Sequence, residues 1–379
     1  MTFSVFPVGS LGLTRCYHLL DNGAISPFRD RKSEKTGVFM NILVIGGTRN
    51  LGHQLVHHLV QTGHRVTVFN RGLTRDELPE SVERLHGDRT EPEQLAKAVR
   101  GRTFDVVVDN ALYKGPEAES VVDIFSGRVG QYIFLSTGQV YLVRENIERP
   151  FTEASYEGRV MPAPKINTYG FEEWTYGVEK RRVEDTLRAA WEKSGFPMTS
   201  LRLPMVNSER DHFNRLYAYI LRLKDGGLIL APSTPVFPLR HIYGMDVVRA
   251  IMLLIETGKG RGKAYNIAQD ETTSLEAFVD ILGELMNVRP NIVRVRRDLL
   301  EANGFLPDCS PFSERWMSEL DNTLSKQELG MTYTPLREYL AALVAHYREN
   351  PPPTPTGYKR RRAELLLYEQ IQQGEVQAK

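Results

Sequence analysis

A short apolar strand that runs straight into a glycine turn and a helix leaves few folds open. Residues 41–52, Asn-Ile-Leu-Val-Ile-Gly-Gly-Thr-Arg-Asn-Leu-Gly, make that pattern. Gly46 permits a sharp turn after the strand, and Gly52 lets the helix pack closely on the sheet. The free N–H groups and the positive helix end then face a phosphate. The cradle is assigned to Gly46, Thr48, Arg49, Asn50, Leu51 and Gly52. Alone such a turn is a weak signal. In this chain a Tyr176-x-x-x-Lys180 pair follows far downstream, and the two constrain each other.

From Asn41 onward, apolar runs alternate with helical patterns, as in parallel strands joined by crossover helices. Strands are expected at 42–45, 65–69, 82–86, 105–109, 132–136 and 198–203. Leu51, Leu55, Val56, Leu59 and Val60 form the apolar stripe of the first helix, and Gly63 is placed to cap it. Further helices fit 91–100, 117–125, 175–193, 245–257, 274–286 and 336–349. The fold class is α/β, a Rossmann-type doubly wound parallel sheet with a smaller C-terminal substrate lobe.

Residues 40–204 and 241–268 are expected to form the cofactor-binding lobe. Residues 205–240, where Gly, Pro and aromatic residues interrupt the alternation, and 269–350 form the substrate lobe. Residues 1–39 are scattered in Gly, Ser, Asp, Asn and Arg with poor periodicity, and read as a disordered N-terminal extension. Residues 351–379 read as a Pro-rich spacer followed by a terminal helix at 358–373, since consecutive prolines cannot continue a helix.

Composition narrows the partners. With 41% hydrophobic and 25% charged residues the chain is of ordinary globular type, and a net charge of +1 sets up no global field for nucleic acid or an anionic membrane. No stretch approaches the roughly 18 apolar residues of a membrane span. The two cysteines, Cys16 and Cys309, form neither a zinc spacing nor a disulfide framework, which fits a reducing cytoplasm.

The cofactor is readable in more detail. Arg49 replaces the middle glycine of the usual G-x-x-G-x-x-G spacing, and Asn70-Arg71 stands where an NAD site places an acid against the ribose 2′-hydroxyl. An acid repels a 2′-phosphate, whereas arginine pairs with it bidentately. Arg49 and Arg71 therefore favour NADP(H), with NAD(H) still open. Asp88 after the third strand is a candidate acceptor for the adenine amino group, although an aspartate there is also an ordinary helix-entry residue. Asn110, Ala111 and Pro204 lie at strand ends, where such sheets place ligands.

Tyr176 and Lys180 lie one turn apart on a helix and share a face. A free phenol has a pKa of about 10, and a neighbouring cation favours its phenolate. Tyr176 is the candidate acid/base at a substrate oxygen while hydride moves at the adjacent carbon, and Lys180 is the candidate to tune it and hold the nicotinamide ribose. Thr137 is placed to hold the same oxygen, with Ser136 as the competing choice.

Taken in order, Gly46…Gly52, Ser136-Thr137…Val140-Tyr141, Tyr176-Gly-Val-Glu-Lys180, Arg202-Leu-Pro204, Tyr243…Asp246, Ala264-Tyr-Asn-Ile267 and Asp321-Asn322…Lys326-Gln-Glu-Leu-Gly330 resemble the extended short-chain dehydrogenase/reductase family, which includes the NAD-dependent epimerase/dehydratases. The resemblance runs from about residue 40 to residue 350. It implies a nicotinamide-binding Rossmann lobe, a Thr-Tyr-Lys catalytic set (Thr137, Tyr176, Lys180), a nucleotide-sugar substrate and a homodimer.

Departures narrow the reaction. The family's 4,6-dehydratases follow the threonine with Asp and Glu, where this chain has Gly138 and Gln139, so dehydration is disfavoured. An asparagine and an arginine common in diphosphate-sugar binders are replaced by Met205 and Leu239, with Asn207 and Arg240 as nearby substitutes beside Thr137 and Tyr176 in the substrate site. The expected activity is an NAD(P)-dependent epimerase or reductase. A non-enzymatic alternative follows from the Gly-Gly-Thr-Arg loop, which also resembles chloroplast stem-loop RNA-binding proteins. The run Lys359-Arg-Arg-Arg362 speaks for it, the near-zero net charge and intact Tyr/Lys pair against it. His53, His57, His58 and His64 read as surface residues, and no metal is expected.

Overall fold

The computed structural model describes residues 39–73 and 75–375, so the expected extension over residues 1–39 lies, apart from Phe39, outside the described residues. In chain order the elements are β1 (Asn41–Ile45), α1 (Asn50–Gln61), β2 (Arg65–Asn70), β3 (Glu83–His86), α2 (Pro92–Ala98), β4 (Phe104–Asp109), α3 (Gly115–Phe125), β5 (Val129–Thr137), α4 (Gln139–Leu142), α5 (Tyr169–Ser194), β6 (Met198–Leu203), β7 (Val206–Asn207), α6 (Arg215–Lys224), β8 (Leu228–Pro232), β9 (Ile242–Tyr243), α7 (Gly244–Thr257), β10 (Lys263–Asn266), α8 (Leu275–Met286), β11 (Asn291–Val295), α9 (Arg297–Ala302), α10 (Thr323–Leu329), α11 (Leu336–Glu349) and α12 (Arg361–Gln372).

Unbroken apolar runs such as Ile42–Leu43–Val44, none of which has exposed surface, belong in a parallel sheet covered on both faces. Seven strands form that sheet in the order β10-β6-β5-β4-β1-β2-β3, and every pairing within it is parallel. Helices α1 and α7 cover one face through Leu55, Val56, Leu59, Val248 and Ile251. Helices α3 and α5 cover the other through Val121, Phe125, Val183 and Leu187. Each such fully buried aliphatic side chain contributes about 1.5–3 kcal/mol. Strand order reverses between β1 and β4, which opens a crevice at the carboxyl ends of the strands. This is the doubly wound architecture expected, and Gly63, at φ +91°, takes the left-handed position after α1.

Beyond β6, where no strand or helix was expected before residue 245, regular elements continue. Helix α6 and strand β8 lie within residues 205–240. Leu216, Tyr219, Ile220 and Leu223 form a helical stripe that packs with Phe278 and Leu282 of α8 and with Tyr339 and Leu343 of α11 into a second core. Two tyrosines in that helix masked its period, and β8 pairs with β11 far along the chain. Helix α5 starts at Tyr169 instead of residue 175, because Thr168 caps it by accepting from Phe171 N at 3.2 Å. Strand β10, absent from the expected strands, completes the sheet.

The C-terminal helix forms within its expected span and is anchored by buried charges. Arg361 is buried at its start, its Nε and Nη2 each 2.7 Å from an Asp225 carboxylate oxygen and its Nη1 3.0 Å from Glu364. Glu364 in turn meets Arg222, which has no exposed side-chain surface. Leu367 docks on the body, whereas Leu366 is half exposed. The basic run is therefore not a solvated stripe of four charges.

Candidate active site

The cradle matches its expected geometry. Gly46 has φ +80°, and a Cβ added at Gly52 would lie 2.4 Å from the Gly46 carbonyl oxygen, so only glycine allows this approach of helix and turn. Arg49 is the exposed N-cap residue of α1, and its side chain does not cap. The first N–H groups of the helix thus point to the crevice, where an anion is stabilised. Thr48, Asn50 and Leu51 are half-buried around the turn, and Asn50 Oδ1 accepts from Ser208.

The remaining cofactor candidates ring the same crevice. Asn70 Oδ1 accepts from Gly72 N at 2.7 Å, and its Nδ2 is covered yet without a protein partner. Asn110 Nδ2 donates to the Ile45 carbonyl at 3.1 Å, and its Oδ1 is likewise covered and without a partner. Ala111 packs against the Gly46 turn, and Pro204 is buried directly after β6. Arg71 is exposed, its charge reaching Asp88. Asp88 accepts from Thr90 N and Oγ1 at 2.9 and 2.7 Å, within the turn before α2, whose N-cap is Glu91. A cradle that a Cβ would fill and two orphaned amide atoms at adjoining strand ends suit a dinucleotide.

Thr137 and Tyr176 come together: the Thr137 hydroxyl lies close enough to the phenol to oppose the rise in its pKa, and it accepts from Gln139 N at 3.2 Å. Ser136, one residue earlier and on the opposite side of β5, instead donates to Glu184 in the interior, which removes it as the alternative. Lys180 is 2% exposed and donates from Nζ to the Leu112 and Leu135 carbonyls at 2.8 and 2.9 Å. It lies 4.7 Å from the centroid of Tyr113 and 5.9 Å from that of Tyr176.

The expected tuning runs the other way. Packing around its hydroxyl holds the Tyr176 phenol above its ordinary pKa, with Thr137 opposing, although the residue keeps 36% of its surface exposed. Burial also draws Lys180 down to about 7, against the pull of Asp109 and Glu184. Desolvation is the largest influence on each group, and two carbonyls occupy ammonium protons. The resting form is the neutral phenol, a proton donor.

Of the two substrate candidates, Asn207 is spent internally and Arg240 is tied through one nitrogen. Asn207 is buried, with Nδ2 at 3.0 Å from His241 Nδ1 and 3.3 Å from Tyr339 OH. Arg240 Nε donates to the Gln269 carbonyl at 2.9 Å. The residue that sequence reasoning missed is Glu173, one turn before Tyr176 on α5. It accepts from Gln139, the Tyr169 phenol lies beside it, and burial raises its pKa. Its place became legible only once α5 was seen to start at Tyr169.

The histidine group differs from a surface cluster in one member. His53 is 9% exposed, burial lowers its pKa to about 4, and its ring centroid lies 4.4 Å from that of His57. With Glu77, Arg210 and His346 these residues line a cavity of about 710 Å³ that the reacting groups do not border. Among the described residues no group of three His, Cys, Asp or Glu side chains is arranged to hold a metal. None of the described helices is long and apolar enough to cross a membrane.

A parallel Rossmann sheet, a glycine cradle and a Thr-Tyr-Lys group at the strand ends define a short-chain dehydrogenase/reductase type of architecture. The NAD dependent epimerase/dehydratase family profile matches residues 42–268, and the chain belongs to that family.

Among curated proteins, the chain is 30% identical over 152 residues to 2′-dehydrokanamycin reductase of Streptomyces kanamyceticus, covering 40% of this chain and 39% of that protein. It is 35% identical over 116 residues to the chloroplast stem-loop binding protein of 41 kDa b of Arabidopsis thaliana, covering 27% of this chain and 30% of that one. The matched segments thus span well under half of either relative. Among solved structures, UDP-glucose 4-epimerase of Thermotoga maritima aligns with a TM-score of 0.65 at 21% identity, over 82% of this chain and 99% of that one. A dTDP-glucose 4,6-dehydratase from Bacillus anthracis, in complex with NAD, aligns at 0.65 and 16%, over 82% and 97%. At these identities the likeness is one of fold.

Proposed function

We propose that the chain is a nicotinamide-dependent reductase, preferring NADP(H), that converts a ketone on a sugar-type ring to a secondary alcohol. The observation that carries this reading is the neutral Tyr176 phenol beside Thr137 at the mouth of the crevice, with the Lys180 ammonium 5.9 Å from its ring centroid. Gly46, Gly52, Asn70, Arg71, Asn110 and Arg49 would hold the cofactor, which supplies a hydride to the substrate carbon. NAD-bound relatives of the fold support the cofactor class, and the two arginines support the 2′-phosphate.

The chain's own residues handle the oxygen. Thr137 and Tyr176 both approach one carbonyl oxygen and polarise it. As the carbon gains its hydrogen, Tyr176 transfers its phenolic proton to the oxygen, giving the hydroxyl and a phenolate. Tyr176 is 36% exposed, so water can return the proton. Lys180, close behind the rings of Tyr113 and Tyr176, favours that transient anion. No acid stands at Gly138 or Gln139 to eliminate water. The relative named as a reductase supports the direction. A nucleotide sugar, implied by family resemblance, would need a diphosphate partner other than Asn207.

The test is to incubate the protein with NADPH and a panel of ketosugars, and separately with NAD+ and UDP-glucose. Consumption of NADPH with appearance of the alcohol is expected. UDP-galactose formation without NADPH consumption would establish the epimerase reading instead. A homodimer in a reducing cytoplasm belongs to the same proposal, and light scattering checks the dimer. RNA binding is not favoured, because Arg361 is committed to Asp225 and Glu364.

A further inference from the structure

The acids of the sheet region are mostly neutralised by arginines: Asp109 and Glu117 by Arg89, Glu184 by Arg202, Asp211 by Arg215. Glu173 differs. Its hydrogen-bond partner among the described residues is the Gln139 amide, and the Tyr169 phenol lies beside it, both uncharged. Arg215 lies near enough to act on Glu173, but both Asp211 oxygens hold its guanidinium at 3.1 Å. Glu172 adds a second negative charge one residue away.

Glu173 and Tyr176 lie three residues apart on α5, so they share a face. Gln139, 7% exposed, gives its Nε2 to Glu173 and keeps a buried Oε1 without a described partner. The amide orientation follows from the carboxylate, which can only accept. Beside the reacting oxygen, then, lies a surplus of acceptors and an unneutralised carboxylate. Such a set is complemented by a charged donor, because a charge-assisted hydrogen bond is roughly twice as strong as a neutral one.

We propose that Glu173, held by Gln139 and Tyr169, is a substrate-specificity residue that binds a protonated amine on the substrate, making the substrate class an amino sugar or a related polyhydroxylated amine. The proposal rests on the reading of Tyr176 and Thr137 as the reacting face. It separates from an anionic sugar diphosphate, which the same carboxylate would repel.

Binding tests it independently of turnover. The full chain saturated with NADP+ is titrated at pH 7 with glucosamine and with glucose, read by ligand-detected NMR. Glucosamine is expected to bind at least about tenfold more tightly, with the preference abolished in Glu173→Gln and partly kept in Glu173→Asp. Tyr176→Phe should retain it. Equal binding of the two sugars by the wild type, or an undiminished preference in Glu173→Gln with unchanged melting temperature, overturns the proposal. A preference confirmed in a chain that reduces no ketone leaves the proposal standing and removes the reductase reading.

Discussion

Ser136 and Thr137 are neighbours on β5 and end in opposite environments. Behind the strand, Ser136 joins Glu184, which receives Arg202 through Nε and Nη2 at 3.0 and 2.6 Å. Arg202 Nη1 meets Tyr141 OH at 2.7 Å, and Tyr141 donates to Asn266 Oδ1 at 2.8 Å. In front, Thr137, Tyr176 and Glu173 keep hydrogen-bonding capacity at the crevice mouth. The saturated side fixes the position of β5 and α5. The other side is left for chemistry. A strand that alternates side chains every residue delivers both roles from one dipeptide.

The largest effect expected from breaking this division is on stability. Arg202→Met strands a buried Glu184 charge and should cost about 3–5 kcal/mol in denaturant unfolding, with most of it regained in the double variant Arg202→Met/Glu184→Leu. A loss under about 1 kcal/mol would mean that water reaches the pair.

Lys180 sharpens the comparison through pH. Its folded pKa of about 7 lies below the ordinary 10.5, so the unfolded chain binds more protons between these values, and this residue's contribution to stability rises with pH across that window, each unit being worth about 1.4 kcal/mol. Lys180→Met should therefore melt higher than wild type near pH 7, the gap narrowing toward pH 10. A gap constant with pH would show that the ammonium is not desolvated. Turnover should fall in this variant despite the added stability.

For the cofactor, Arg49→Gly with Arg71→Asp should weaken NADPH binding at least about tenfold more than NADH binding, as measured by fluorescence titration. Equal loss of both would dismiss a 2′-phosphate site. The smallest change expected is for Ser136→Ala, about 1 kcal/mol in unfolding with cofactor affinity unchanged.

What was legible in the sequence follows the same divide. The cradle and first helix are local: Gly46, Gly52 and the Leu55–Val56–Leu59 stripe lie within one turn-helix unit, and their spacing reports their geometry directly. Arg222 and Glu364 are 142 residues apart, and nothing near either announces the other, so the buried ion pairs of the terminal helix were not legible. Helix α6 was lost because tyrosines at its core face resemble loop aromatics. Asn207 carries the right chemistry in nearly the right place, but Tyr339 and His241 claim it, and those contacts are long-range. The direction of the Tyr176 shift was missed for a related reason: spacing shows that Lys180 is near, whereas burial and the Leu112 and Leu135 carbonyls decide what its charge does.

The most direct test of the reading is a single-turnover measurement with NADPH deuterated at the transferring carbon and a reducible ketosugar, comparing wild type with Tyr176→Phe. Deuterium should appear on the alcohol carbon, and the variant should transfer it at least about a hundredfold more slowly while binding NADPH equally well. Equal transfer rates in the two proteins would contradict the assignment of Tyr176 as the proton donor.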